Sequence, residues 1–253
     1  MEKSQTHCEV KIGKEGTTME LHGLAPGDVT YLAVYAGKKS NLQLLSDFPK
    51  LEKLFLNGDF TDIDAIAGLK NLTHLTMYLS LPVDFSNLKG IELESLSASC
   101  KMNETFSAFF SDRLKELELN SIRQLKDLSF IEQIPGLKKL YLNSLPAVEE
   151  FPDFSKLKNL YALKLYELHK LNNIENLVHS SIQYLDFTLA ADKLSGTKIA
   201  EVLLSMEQLK GADMDLIDRS NPKRFEVIEN KLKKAGRADL LDYQMSYNDW
   251  KVL

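Results

Sequence analysis

Residues 51–56 read Leu-Glu-Lys-Leu-Phe-Leu, with leucine at the first, fourth and sixth positions. The same L-x-x-L-x-L spacing recurs as LKELEL at 114–119, LKKLYL at 137–142 and LYALKL at 160–165. Weaker copies begin at Val29, Leu72, Leu93, Ile182 and Leu209. The nine starts are separated by 22, 21, 21, 21, 23, 23, 22 and 27 residues. Leucine is common, so one such hexamer is weak evidence, but nine in near-constant register predict a repeat architecture.

Each hexamer has the alternation expected of a strand with one buried face. The leucines point inward. The third and fifth residues of the hexamer, and the residue directly after it (the seventh position), point to the opposite face. Apolar residues of the segment that follows, such as Ile63, Ile66 and Leu69, close the core from the other side. One strand with its spacer cannot bury its own apolar face, whereas stacking on neighbouring copies makes a continuous core.

The spacers sharpen this pattern and resemble a known family. FTDIDAIAGLKNL at 60–72, LKDLSFIEQIPGLKKL at 125–140 and FPDFSKLKNL at 151–160 share an I-x-x-I-x-x-L-x-x-L rhythm. Over roughly residues 29–216 the chain resembles leucine-rich repeat proteins, in the 22-residue class of bacterial internalin-like proteins. The resemblance implies an α/β fold: a curved right-handed solenoid with a parallel concave sheet of about nine strands and a mixed helical and irregular convex side. It implies no catalytic residues, and a protein as the usual partner.

The chain departs from that family three residues after the last leucine of each strand, where asparagine or cysteine is common. The nine residues found there are Gly37, Asp59, Ser80, Lys101, Ile122, Leu145, Leu168, Ala190 and Ile217. No asparagine ladder can bond the buried backbone groups of these turns, which therefore need other partners. We expect irregular turns and uneven curvature.

Two spacers have helical spacing. NETFSAFFSDRL at 103–114 places phenylalanines three and four positions apart. SGTKIAEVLLSMEQL at 195–209 is a clearer helix, with Ser195 or Thr197 as its N-cap, and it accounts for the 27-residue interval.

Both ends of a solenoid expose apolar core and need covers. CEVKIGKEGTTMEL at 8–21 predicts a hairpin around Gly13 and Gly16, and Val10 lies 22 residues before Leu32, so one hairpin strand is expected to extend the sheet. Asn221-Pro222 opens a predicted helix that carries Phe225, Ile228 and Leu232 and stops near Gly236, after which Leu240, Leu241 and Trp250 fold back. We predict a capping hairpin at 1–28, repeats at 29–216 and a helical cap at 217–253, in one continuous domain.

The face opposite the leucines is the candidate binding surface. Its 27 positions hold six of the nine tyrosines and one of the twelve phenylalanines, a bias typical of surfaces packed on one side and wet on the other. The alternative is that tyrosine, a good strand residue, packs on its neighbours across the sheet. The predicted partner-binding residues are Tyr31, Tyr35, Phe55, His74, Tyr78, Ser95, Ser97, Ser99, Glu118, Tyr141, Tyr166 and Tyr184.

LESLSASC at 93–100 places three serines on this face, at Ser95, Ser97 and Ser99. One bank of aromatic residues precedes them along the chain and another follows. The serines are therefore predicted to form a low floor that admits a partner's side chains. Alternatively, serine is only tolerated on a solvated sheet.

Charges on this face are predicted to pair in part. Glu116 is expected beside Lys139, and Lys164 beside Asp186, whereas Glu118, Asp213 and Asp215 have no basic neighbour in their columns. The C-terminal end of the face should be acidic, which would steer a partner with a basic patch toward it.

Several classes of function lack their signatures. The net charge of −5 argues against nucleic acid, and no run of about 18 apolar residues predicts a membrane span. The only cysteines, Cys8 and Cys100, are expected as reduced thiols. None of the five histidines has metal-ligand spacing, and no phosphate-binding glycine loop or nucleophile elbow occurs. We predict no catalytic residue, no metal and no cofactor.

The sequence thus favours a non-enzymatic protein–protein recognition module of the bacterial cytoplasm. One alternative is an immunity or inhibitor protein that masks a toxin or another enzyme. A second is a cell-surface adhesion protein, which would need an export signal, and MEKSQTHCEV at 1–10 has no apolar core of a signal peptide.

Overall fold

The structure, a computed structural model, describes residues 8–188, 193–214 and 222–243. It is an α/β fold in which most strand pairs are parallel and helices are few. The chain divides into two compact units, one within Met1–Leu114 and the other within Lys115–Lys251, and each is described by itself. No helix in the described ranges is both long and apolar enough to cross a membrane.

From residue 8 onward, the first unit has six strands. They are β1 (Cys8–Gly13), β2 (Gly16–Glu20), β3 (Tyr31–Asn41), β4 (Lys53–Asp62), β5 (His74–Leu79) and β6 (Ser95–Ser99). Their order in space is β6-β5-β4-β3-β1-β2, and every neighbouring pair is parallel except β1 and β2, which form an antiparallel hairpin.

The hairpin extends the sheet as predicted, but in a different register. β1 lies beside β3 with Val10 opposite Val34 and Ile12 opposite Ala36, two residues further along β3 than the 22-residue spacing suggests. A shift of two residues leaves every side chain on its original face. Cys8 and Val10 therefore still point into the core, where both are fully buried.

Among its described residues, the second unit has five parallel strands and two α-helices. The strands are β7 (Glu116–Asn120), β8 (Lys139–Asn143), β9 (Ala162–Tyr166), β10 (Tyr184–Thr188) and β11 (Gly211–Asp213), in that spatial order. The helices are α1 (Gly196–Ser205) and α2 (Pro222–Lys234). Ser195 Oγ accepts a hydrogen bond from the Lys198 amide at 3.2 Å, so Ser195 and not Thr197 caps α1. A second predicted feature is also present: α2 is followed by Gly236 in the left-handed region, with φ 72°.

All nine predicted strands are present, and their register aligns equivalent positions of the hexamers. In the first unit Tyr31, Lys53, His74 and Ser95 are successive Cα partners. The leucines of the hexamers are buried, as are the spacer residues that face them. Each fully buried leucine contributes roughly 1.5–3 kcal/mol relative to exposure to water. The core of each unit thus lies between the strands and their spacers.

Most spacers form short 3₁₀ helices. At the start of seven of them, an Asn or Asp side chain accepts a hydrogen bond from the amide two residues later at 2.8–3.1 Å, and Asn103 and Asp153 are themselves the N-caps; the seven residues are Asn41, Asp62, Asp84, Asn103, Asp127, Asp153 and Asn173. The segment 103–114, predicted to be helical, contains the 3₁₀ helix Glu104–Phe109. Phe106 and Phe109 are buried there, with ring centroids 5.6 Å and 5.3 Å from that of Phe85.

The turns after three strands of the second unit are alike. Ser121, Ser144 and Glu167 have left-handed φ values of 56°, 51° and 54°. Their amides donate to the carbonyls of Asn143, Tyr166 and Thr188 at 2.9, 2.8 and 3.3 Å. The expectation of irregular turns is wrong for these three, because each backbone amide bonds the end of the next strand. An irregular register does occur in the first unit, between Ala36 and Ser40 of β3.

Candidate functional site

The third and fifth residues of each hexamer, and the residue that directly follows the hexamer, lie on the side of the strands opposite the buried leucines. This side is here called the outer face. The predicted partner-binding residues divide between the two units. The first unit holds Tyr31, Tyr35, Phe55, His74, Tyr78, Ser95, Ser97 and Ser99, and the second holds Glu118, Tyr141, Tyr166 and Tyr184. Their role in binding stays a prediction, but their surroundings can be described.

Three aromatic rings of the first unit contact one another across β3, β4 and β5. The ring centroids of Tyr35 and Phe55 are 5.6 Å apart at an angle of 48°, and those of Phe55 and Tyr78 are 5.7 Å apart at 46°. All three side chains are half-buried. Such pairs stabilise by about 0.5–1.5 kcal/mol beyond the area that they bury. This aromatic patch is therefore held in place by the sheet while part of each ring remains exposed.

Two further predicted residues flank the aromatic patch. Tyr31 is half-buried, and desolvation, reinforced by Tyr35 and Glu9, raises the pKa of its hydroxyl, which stays protonated at neutral pH. His74 is half-buried, and its Nδ1 lies 2.8 Å from Thr73 Oγ1. Both side chains add polar groups to the same outer face of the first unit.

The serines of β6 do not form the open floor that the sequence predicts. Ser95 and Ser97 are each only 2% exposed, and Ser99 alone is half-buried. Serine is short, and in the neighbouring strand β5 the longer His74 and Tyr78 stand beside Ser95 and Ser99. Thr76, the partner of Ser97 in β5, is likewise buried at 5%. Ser95 and Ser97 are therefore corrected from accessible surface to buried positions of the outer face.

Two of these buried hydroxyls are unsatisfied. Among the described residues, Thr76 Oγ1 and Ser95 Oγ have no hydrogen-bond partner. A buried donor or acceptor without a partner costs about 1–3 kcal/mol. The outer face around Thr76, Ser95 and Ser97 is thus polar but not accessible to solvent.

The second unit carries an ionic cluster on its outer face. Lys164 Nζ lies 3.1 Å from Asp186 Oδ2 and 5.3 Å from the centroid of the Tyr141 ring. Thr188 Oγ1 donates to Asp186 Oδ1 at 2.7 Å. The other predicted pair, Lys139 and Glu116, is also present at 3.0 Å. Both predicted ion pairs are confirmed.

Burial dominates the titration of this cluster. Desolvation raises the pKa of Asp186, which is 5% exposed; Thr188 and Lys164 oppose the shift, and Asp213 adds to it. Desolvation also raises the pKa of Tyr141, and the carboxylates of Glu118 and Asp186 raise it further. Tyr141 therefore presents a neutral phenol beside negative charge.

The described outer-face positions of the second unit carry an excess of negative charge. Four carboxylates, those of Glu116, Glu118, Asp186 and Asp213, stand against the two ammonium groups of Lys139 and Lys164. The difference is two negative charges. Asp215, predicted to add to it, lies outside the described residues.

The ring of Tyr184 contacts the chain's own C-terminal segment. The ring of Tyr243 stacks on that of Tyr184, with centroids 4.8 Å apart and an angle of 30° between the planes. Leu240, predicted to fold back together with Leu241, is fully buried in the 3₁₀ helix Ala238–Asp242, and Leu241 is half-buried there. Tyr184 remains half-buried, with its ring stacked against Tyr243, and its role in binding stays a prediction. Trp250 lies outside the described residues.

Sequence reasoning missed Tyr243, although one signal was visible. The hexamer at 209–214 has Gly211 at its third position, where most other hexamers carry a larger side chain. Glycine inside a strand often marks a close approach by another group.

The two thiols are buried and unpaired. Desolvation raises the pKa of Cys100 to about 12, and it also raises the pKa of Cys8, whose Sγ lies 3.7 Å from the Leu21 carbonyl. Such thiols are poor nucleophiles. Within the described ranges, no group of three or more His, Cys, Asp or Glu side chains is arranged to hold a metal ion.

Comparison with known proteins does not assign the chain to a family. No protein-family model matches the chain, and no curated protein has a significantly similar sequence.

Proposed function

We propose that this chain is a leucine-rich repeat protein of the internalin-like 22-residue class, and that it is a non-enzymatic module that binds a protein partner through its outer face. The proposed solenoid is supported by nine strands at near-constant spacing, by buried leucines at equivalent positions, and by short spacers that start with the same Asn or Asp hydrogen bond to the backbone. Binding is equilibrium docking on a surface that is already ordered, which limits the entropy lost on association.

The observation that carries this proposal is the aromatic patch of Tyr35, Phe55 and Tyr78. Three rings on consecutive strands are fixed by mutual contact and remain partly exposed. Aromatic side chains that are rigid and partly exposed to solvent are the usual anchors of protein interfaces. Tyr141 and Tyr166, half-buried on the outer face of the second unit, are the corresponding anchors there.

The compartment in this proposal is the bacterial cytoplasm. Two buried, unpaired thiols are in keeping with a reducing environment.

The test begins with a tagged full-length chain used to capture its partner from the native host. Tyr78→Ala and Tyr166→Ala should each weaken the affinity for that partner about 30-fold, as expected for hot-spot tyrosines, and should shift the melting temperature little. The matched control is Tyr161→Ala, which removes a half-buried tyrosine at the second position of its hexamer, away from the outer face. If the first two variants lower the melting temperature and leave the affinity intact, the tyrosines are structural and the proposal fails.

The second candidate, an inhibitor that masks a toxin or another enzyme, is favoured by the charge of the second unit. The described positions of its outer face carry two more carboxylates than ammonium groups, and the whole chain has a net charge of −5. A basic enzyme surface would be attracted to such a face. A single stoichiometric enzyme in the capture experiment, with activity that falls on binding, would select inhibition, whereas many weak partners would select a scaffold.

The non-enzymatic part of the proposal has its own test. A screen of the purified chain against hydrolase substrates should find no turnover. Reproducible activity that disappears in Glu118→Gln would overturn it.

A further inference from the structure

The contact between Tyr184 and Tyr243 occupies a defined slot on the outer face of the second unit. Its wall is the ring of Tyr184 in β10, and its floor is the backbone of Gly211, the Cα partner of Tyr184 in β11. The ring spacing of 4.8 Å and the angle of 30° are those of an offset stack. One planar ring therefore fills this slot.

The floor of the slot is shaped for close approach. A Cβ atom at Gly211 would lie 2.4 Å from Tyr243 Cβ and 2.5 Å from its Cγ. Both are atoms near the backbone, so the tyrosine could not rotate away from the added carbon. Glycine is a poor residue inside a strand unless another group must come near, and here that group is an aromatic side chain.

The segment that delivers Tyr243 is also anchored by residues that precede it in the chain. Arg237 Nη2 donates to the Leu209 carbonyl at 3.0 Å, and Leu240 is fully buried. Tyr243 itself is half-buried and directly follows the 3₁₀ helix Ala238–Asp242. Removal of the ring from the slot thus leaves the anchors at Arg237 and Leu240 in place.

We infer that the slot formed by Tyr184 and Gly211 is a binding site for one aromatic side chain, which Tyr243 fills in the free protein and an aromatic side chain of the partner fills in the complex. That the ring comes from a protein partner rests on the proposed function. The slot itself rests only on the contacts of Tyr184, Gly211 and Tyr243. Its ligand is a flat ring on a flexible stem, with tyrosine as the fitting example.

The first experiment opens the slot in the full-length chain with Tyr243→Ala and adds N-acetyl-tyrosinamide as the probe. Saturable NMR shifts of the Gly211 amide are expected in this variant, and binding should be ~10-fold weaker or absent in the wild-type chain, whose slot is filled. The double variant Gly211→Ala/Tyr243→Ala should not bind, because the added methyl group blocks the floor. N-acetyl-leucinamide is the control for a non-aromatic side chain.

Three results would overturn the inference. One is the absence of saturable shifts in folded Tyr243→Ala, and another is equal binding to the wild-type chain. The third is binding of p-cresol without binding of N-acetyl-tyrosinamide, which would show a site for free phenols and not for a protein side chain.

A second experiment needs no opened slot and decides the matter if Tyr243→Ala does not fold. Gly211→Ala should expel Tyr243, so the amides of residues 238–243 should lose hydrogen-exchange protection while those of β10 keep theirs. Gly68→Ala, where an added Cβ meets no atom within 4 Å, is the matched control and should change neither. Unchanged protection in Gly211→Ala contradicts the slot.

These measurements use no partner, so the two proposals fail separately. A failed slot leaves the capture experiment and the Tyr78 and Tyr166 variants untouched. Failure of those variants to weaken binding leaves the slot intact and removes only its assignment to a protein partner.

Discussion

Gly58 shows how little room some backbone positions leave for a side chain. It has φ 138°, a region that residues with a Cβ rarely adopt, and a Cβ there would lie 2.2 Å from the Ala36 carbonyl oxygen. Strand β4 can approach β3 at this point only because the residue is glycine.

Gly58→Ala should therefore lower the free energy of unfolding by about 1–3 kcal/mol, through both backbone strain and the contact with Ala36. Urea denaturation measures the change. Gly68→Ala, at an open position with an ordinary φ, should stay within about 1 kcal/mol of the wild-type chain. Equal effects of the two substitutions would contradict the close approach at Ala36.

Asp186 makes stability depend on pH in an unusual direction for an ion-paired carboxylate. Because desolvation raises its pKa in the folded chain above the ordinary value of 3.8, the folded state binds this proton more readily than the unfolded state. The stabilising contribution is thus complete below the unfolded pKa and is lost as pH rises through the folded pKa.

Asp186→Asn removes this titration and keeps an oxygen that can accept from Thr188. The unfolding free energy of the wild-type chain minus that of Asp186→Asn should fall as pH rises above about 4 and then level off above the folded pKa. Denaturation series for the two proteins across this range measure it. A difference that grows with pH would mean that Lys164 and Thr188 outweigh desolvation.

Burial at single positions was predictable only where the residue's own strand decides it. The leucines of the hexamers follow from alternation alone. Ser95 and Ser97 do not, because their exposure depends on the side chains of neighbouring strands, which alternation along one strand does not determine. Tyr184 does not either, because the residue that contacts its ring lies 59 positions later in the chain.

Among the elements, the spacers are linked to one another by short hydrogen-bond relays. Asn103 Nδ2 donates to the Val83 carbonyl at 2.9 Å, and Asn103 Oδ1 accepts from the Thr105 amide and hydroxyl at 3.0 and 2.6 Å. The Thr105 hydroxyl in turn accepts from the Phe85 amide at 2.9 Å. One asparagine therefore caps its own 3₁₀ helix and ties it to the preceding spacer.

Asn103→Ala should lower the free energy of unfolding by about 1–3 kcal/mol, because it leaves partly buried backbone groups without partners. Asn103→Ser should have a smaller effect, since its hydroxyl can still accept from the Thr105 amide and only the bond to Val83 is lost. Asn87→Ala is the control, because its side chain bonds Asp64 in water-exposed surroundings. Thermal or urea unfolding compares the three, and a harmless Asn103→Ala would contradict the relay.

Strands and helices could be predicted from the sequence where the spacing of their apolar residues fits only one kind of element. Strands alternate with a period of two, which few other structures imitate. The segment 103–114 has apolar residues three and four apart, a spacing that fits an α-helix, yet Phe106 and Phe109 are three apart and suit a 3₁₀ helix as well. The Asn and Asp hydrogen bonds could have been found, because these residues recur at the start of successive spacers.

For the whole molecule, constant spacing of the hexamers was enough to predict nine strands and their register. The same spacing predicted the wrong register for the N-terminal hairpin. Strand β1 is shifted by two residues along β3 relative to that prediction, because β1 belongs to no hexamer. The occupation of the outer face by Tyr243 was also beyond reach, since packing between distant segments leaves no period in the sequence.

The aromatic patch of the first unit also has a fixed spacing between its two tyrosines. Tyr35 and Tyr78 sit on strands two apart, and neighbouring strands are about 4.8 Å apart, so the two positions are separated by roughly 10 Å across the sheet. An α-helix rises about 10.5 Å in seven residues. A helix laid across β3, β4 and β5 would bring side chains seven positions apart over the two tyrosines, with Phe55 under the turn between them.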